Sequence, residues 1–214
     1  MEKNHQKLWV VAVCLISLVL FSADIYFDCQ RMSFAEYNEG QWQEKCVLLD
    51  TLIGHLDQHD RLLNELKDTG EERKAELEQQ LISSEKTVAE DIENLRALVE
   101  RNYYSEEEQE LRQTEWDETE RWDAMWKETA RLSRRVRRLC LNFRDGALHS
   151  AESMADYQNA MRILQEDVRM SARQSRESVV LENARSEELH ASIFKAGTVY
   201  IIVMAVGYAV WRTR

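Results

Sequence analysis

The segment His55-Leu-Asp57-Gln-His59-Asp60 is the best metal candidate in this sequence, with two imidazoles and two carboxylates in six residues. Two imidazoles at i and i+4 share one helix face, and Asp57 and Asp60 set carboxylate oxygens beside them. Complete zinc sites use three or four placed ligands, and here no third nitrogen or sulfur is at hand. His149 belongs near the same end of a folded-back chain, a couple of helical turns away from them. His55 and His59 are therefore kept as metal candidates, with a solvated polar patch as the plainer reading. Glu187-Glu-Leu-His190 has the spacing of half a di-iron carboxylate site, which needs a second such pair and two further glutamates. Its only counterpart, Glu2-Lys-Asn-His5, lies beyond an apolar segment. No cofactor is expected.

Two other constellations suit recognition better than catalysis. Trp116, Trp122 and Trp126 fall within eleven residues, and Trp122 and Trp126 share a helix face. Large aromatics at that spacing form a packed pair, the wall of a cavity, or a partner hot spot. Arg131, Arg134, Arg135, Arg137, Arg138 and Arg144 form a run with no acid among them. Such a run binds carboxylates or other anions, or lies opposite an acidic face of its own protein. Ser, Cys and His never meet in a strand–turn–helix setting, and Gly-rich phosphate loops are lacking, so no enzyme is expected. Cys14, Cys29, Cys46 and Cys140 are scattered, with no CxxC pair.

The elements that must carry these groups are helices. Average usage would put about ten prolines in a chain of this length, and it has none, with six glycines. Proline interrupts helix interiors, so its lack together with abundant Glu and Arg predicts an all-α protein.

Two apolar stretches, 8–27 and 193–211, predict transmembrane helices. A cleavable leader wants a small residue three positions before its cut, and Phe21 stands there if Ala23 ends the leader. Trp9 and Tyr26 bracket the first stretch, Phe194 and Trp211 the second, each pair 17 residues apart. At about 1.5 Å per residue that spacing is about 26 Å, near the thickness of a bilayer's hydrocarbon. Both tryptophans lie toward a chain terminus, which sets both termini on one side. Lys3, Lys7, Arg212 and Arg214 crowd the short tails 1–7 and 212–214. The positive-inside rule puts those tails in the cytoplasm and the middle outside it. That middle carries 37 acidic and 23 basic residues, net −14. So acidic a domain argues against nucleic acid or an anionic membrane surface as a main partner.

Residues 28–192 are expected to form one acidic helical domain with helices near 28–67, 71–101, 106–144 and 147–192. Asp68-Thr69-Gly70 is expected to end the first helix with a capping glycine, Ser105-Glu-Glu-Glu108 reads as a capping box, and Asp145-Gly146 marks the last turn. Each helix has an apolar stripe at helical period: Cys46, Leu49, Ile53, Leu56, Leu63 and Leu66 on the first; Leu77, Leu81, Val88, Ile92, Leu95 and Val99 on the second. Trp122, Met125, Leu132, Val136, Leu139 and Phe143 mark the third; Met154, Tyr157, Met161, Leu164 and Val168 mark the fourth, which weakens to Ser171, Ser175 and Ser178. Short breaks favour an antiparallel four-helix bundle, with an extended coiled-coil rod as the alternative. In the bundle, acids from Asp57 to Glu78 would meet the Arg131–Arg144 end. In the membrane segments, Ala205 and Ala209 are spaced for close helix contact.

Membrane helix, four long helices and membrane helix in that order resemble the extracytoplasmic sensor half of bacterial chemoreceptors. The resemblance is one of architecture; no motif carries it residue by residue, and no cytoplasmic signalling hairpin follows Trp211. It implies, as one reading, a sensory ligand-binding module that signals through a separate membrane protein. The first reading is a non-enzymatic scaffold, tether or modulator of another membrane or extracytoplasmic protein, with a homodimer as a further option. The Arg131, Arg134, Arg135 and Arg138 face, or the Trp116, Trp122 and Trp126 belt, would be its surface. The bacterial inner membrane is the expected location; no Asn begins an N-x-Ser/Thr glycosylation site.

Overall fold

The computed structural model describes residues 2–103, 124, 127–140 and 151–213. Among them every regular element is a helix: α1 Glu2–Asp68, α2 Glu71–Tyr103, α3 over 127–140 and α4 Ala151–Thr213. The chain is all-helical, as its lack of proline predicts. The capping box at Ser105 and the turn at Asp145-Gly146 lie outside the described residues.

Only Thr69 and Gly70 part α1 from α2. The Thr69 hydroxyl donates to the Glu65 carbonyl at 2.6 Å, using one of the carbonyls a helix end leaves over. Gly70 departs from the expected capping role, because its φ lies outside the left-handed region. Its carbonyl instead accepts the Arg73 N–H at 3.2 Å and opens α2.

The chain divides into two compact units, Gln41–Glu177 and the pair of segments Met1–Gly40 and Ser178–Arg214. In the first, all four helices contribute to one apolar cluster. Leu49, Leu52, Leu56 and Leu63 come from α1, Leu81, Val88, Ile92 and Leu95 from α2, Leu132, Val136 and Leu139 from α3, and Met154, Met161, Leu164 and Val168 from α4. A leucine fully buried in this way gains about 2 kcal/mol by transfer from water.

The stripes on α2 and α4 are those the sequence predicts. On α1 the buried line is instead Trp42, Lys45, Leu49, Leu52, Leu56, His59 and Leu63. That alternation of three and four is a seven-residue repeat, and it displaces Cys46, Ile53 and Leu66 to partly covered flanks. The weakening of α4 is not a loss of burial either. Ser171 and Ser175 are buried, and the Ser175 hydroxyl donates back to the Ser171 carbonyl at 2.9 Å.

Polar pairs fix how neighbouring helices match. His55 meets Asp91 and Glu44 meets Arg101, so α1 and α2 run in opposite directions. Asn64 meets Gln158, Asp57 meets Arg169 and Asp50 meets Arg176, so α1 and α4 do the same.

The other unit holds the two apolar segments. Both belong to helices long and apolar enough to cross a membrane, and neither apolar stretch is buried by the protein. Trp9, Tyr26, Phe194 and Trp211 are all exposed, as residues at a bilayer interface would be. The segments touch along one side: Phe21 and Tyr200 have ring centroids 5.9 Å apart, and the Ser192 hydroxyl donates to Asp28 at 3.0 Å. A Cβ added at Gly207 would stand 3.0 Å from the Cys14 sulfur. Glycine is thus the small residue of the contact, whereas Ala205 and Ala209 are exposed.

Candidate functional site

Two features of the Gln41–Glu177 unit are candidates: a polar layer within its core, and an arginine face outside it.

The layer centres on His59, 1% exposed, in the α1 heptad line. Its Nδ1 lies 3.2 Å from the Ser84 hydroxyl on α2, and its Nε2 lies 3.0 Å from the Tyr157 hydroxyl on α4. The rings of His59 and Tyr157 meet edge to face with centroids 5.9 Å apart. Burial lowers the His59 pKa to about 4, so the imidazole is neutral at pH 7. Burial also raises the Tyr157 phenol, and the nearby Cys140 and Glu85 push it the same way. Hydroxyls on both sides can donate or accept, so either imidazole tautomer is satisfied. The trio ties three helices together at one level.

His55, four residues earlier, is only partly covered, and its Nδ1 sits 2.5 Å from Asp91 Oδ2. His55 thus borders solvent, whereas His59 belongs to the core and not to a solvated patch. No group of three or more His, Cys, Asp or Glu suited to a metal occurs among the described residues. Both His59 nitrogens face hydroxyls and one His55 nitrogen faces a carboxylate, an arrangement that leaves the pair committed to other helices. His190 is engaged within its own helix, its Nδ1 2.9 Å from the Ser186 carbonyl. His149 lies outside the described residues.

Two heptads before His59, Lys45 is also core, at 1% exposure. Its ammonium lies 5.2 Å from the centroid of the Trp42 ring, a cation–π distance. Burial pulls its pKa down to about 8, which Cys46 and Glu128 only partly offset. Apolar spacing alone reveals neither Lys45 nor the core role of His59. The signal lies elsewhere: both occupy their heptad positions between Trp42 and Leu63.

The arginine face lies on α3. Thr129, Leu132, Ser133, Val136, Leu139 and Cys140 are buried, and Arg131, Arg134, Arg135, Arg137 and Arg138 cover the opposite side. The expected meeting with the acidic α1–α2 end does not occur among the described residues. Arg135 pairs with Asp167 on α4, and Arg131 with Glu128 one turn back. Asp57, from the acidic end, pairs with Arg169 at 2.7 Å and accepts from Gln165 at 3.2 Å. The physical reason is the heptad register, which sets Asp50 and Asp57 beside α4, where Arg176 and Arg169 are closer partners. Arg134, Arg137 and Arg138 carry no hydrogen bond or ion pair among the described residues. Trp116, Trp122 and Trp126 lie outside the described residues, as does Arg144.

Comparison with protein-family models, curated proteins and solved structures finds no match to this chain. Fold and chemistry define its class: an all-helical protein with two helices able to cross a membrane.

Proposed function

We propose that this is a two-pass membrane protein whose residues 28–192 form an antiparallel four-helix bundle outside the cytoplasm, and that it acts as a non-enzymatic scaffold, tether or modulator of another protein. The supporting observation is the division of labour along the chain. Among the described residues, exposed large apolar side chains lie mainly in the segments around 8–27 and 193–211, while the Gln41–Glu177 unit has an apolar core of its own. The opposed directions of α1 against α2 and α4 favour the bundle over the rod. Polar core groups that bridge neighbouring helices support a holding role, and the charged α3 face is a surface open to a partner. Four basic residues in two short tails favour termini in the cytoplasm, that of a bacterium on the architectural resemblance.

A photo-cross-linking amino acid placed singly at Arg131, Arg134, Arg138, Trp122 and Trp126, and at Val47 and Val180 as controls, tests the reading in intact membranes. One discrete protein adduct from the α3 positions, and none from the controls, is expected. Equal adducts everywhere, or none anywhere, would contradict a partner-binding role.

A further inference from the structure

We propose that Arg134, Arg137 and Arg138 form a docking face for a short acidic segment of a partner protein. The inference rests on the partner-binding reading above and names the chemistry of its contact.

Three observations carry it. First, these arginines share one side. At about 100° per residue, Arg134 and Arg138 lie about 40° apart and Arg137 is about 60° from Arg134 on its other flank, so the three cover an arc of about 100°. That arc lies opposite the buried line of Leu132, Val136 and Leu139. Second, like charges at i, i+3 and i+4 repel, and nothing among the described residues relieves them. Acids are not scarce: the chain has 39, and Arg101, Arg135, Arg169 and Arg176 each meet a carboxylate on a neighbouring helix. Third, the helix dipole does not account for Arg134. Its attraction for cations fades within about the last turn, and α3 runs on to at least residue 140, six residues beyond Arg134.

The occupant follows from size and charge. The three Cα atoms span about 6 Å along the helix, the reach of two or three carboxylates on a short peptide. The guanidinium fork takes a carboxylate in two parallel hydrogen bonds, which a lysine patch would not. Extended polyanions and anionic bilayers feel the whole domain, whose net charge of −14 repels them. A short acidic segment feels mainly the local patch, where residues 127–140 hold six basic side chains and one acid. Charge complementarity thus selects an acidic peptide.

The test uses the full chain in nanodiscs of zwitterionic lipid, with a short fluorescein-labelled poly-glutamate peptide as probe and poly-glutamine as control. Anisotropy at about 150 mM salt should show binding of poly-glutamate alone, weakening as salt rises. Arg134→Gln/Arg137→Gln/Arg138→Gln should lose roughly tenfold in affinity, as three exposed charge pairs would. Arg131→Gln/Arg135→Gln, whose side chains are already paired, should lose less than about threefold. Matching helical content and melting of both variants would exclude misfolding. The proposal is overturned by an undiminished triple variant, by no poly-glutamate binding, or by phosphatidylserine vesicles binding the face in its place. A cross-linked partner without poly-glutamate binding would sink this inference and spare the partner-binding reading; poly-glutamate binding without any cross-linked partner would do the reverse.

Discussion

His59 of α1 and Tyr157 of α4 meet inside the core with imidazole Nε2 3.0 Å from the phenol oxygen, and each is nearly sealed from solvent. This contact, with Ser84 on the other imidazole nitrogen, makes three helices share one polar level. Here a slip of one heptad strands three polar groups, so the layer specifies register.

Tyr157→Phe keeps the ring and removes the hydroxyl, leaving His59 Nε2 short of its partner. A loss of about 1 to 2 kcal/mol is expected in urea unfolding, because a buried polar atom forfeits its hydrogen bond without regaining water. His59→Leu should cost more, since it removes the imidazole from the hydroxyls of both Ser84 and Tyr157. The double variant should cost less than the two singles together; strict additivity would mean that the 3.0 Å contact carries no coupling.

Acid should loosen the fold through His59. Unfolded, its imidazole takes up a proton as pH falls through 6.5; folded, burial holds this off until about pH 4. Between those values the unfolded chain binds more protons, so stability rises with pH and is lost as pH falls. The linkage predicts about 2 to 3 kcal/mol lost between pH 7 and 4.5 on this account. Unfolding free energies of wild type and His59→Leu at both pH values give the difference, and an equal pH dependence in the two proteins would refute it.

Lys45 should act at the other end of the scale. Its pKa is about 8 when folded and near 10.5 when unfolded, so between these values the unfolded chain again holds more protons. Stability should therefore rise by about 2 to 3 kcal/mol from pH 7 to pH 10. Lys45→Met removes the buried ammonium at similar volume and should abolish that rise while proving at least as stable as wild type at pH 7. Strong destabilisation at pH 7 would instead mean that the charge is well compensated in the core.

The helices and most of their buried stripes were legible from periodicity, because Leu, Val, Ile and Met mark α2, α3 and α4 directly. The α1 line was harder. Lys45 and His59 look like surface residues, so the apolar pattern drifted by one position toward Cys46 and Ile53. A repeat of seven anchored on Trp42, Leu49, Leu56 and Leu63 recovers both. The ion-pair map was less legible still. Charge runs suggested that the acidic end of α1 and α2 meets the α3 arginines, whereas register, not net charge, sends Asp57 to Arg169 and Asp50 to Arg176. In the apolar segments, alanine spacing pointed to Ala205 and Ala209, and the small residue at the contact is Gly207.

That last contact offers the most direct test of the central claim, that the two apolar ends lie side by side as anchors of one folded-back chain. In a disulfide, each Cβ stands about 3 Å from the partner sulfur, and a Cβ at Gly207 stands 3.0 Å from the Cys14 sulfur. Gly207→Cys should therefore form a disulfide with native Cys14 on mild copper-phenanthroline oxidation of intact membranes, in a chain with Cys29, Cys46 and Cys140 replaced by Ala. The account predicts a peptide pair joined through Cys14 and position 207, recovered by mass spectrometry from the monomer band. Linkage found only between two copies, or both thiols remaining open to alkylation, would contradict it and favour an extended rod.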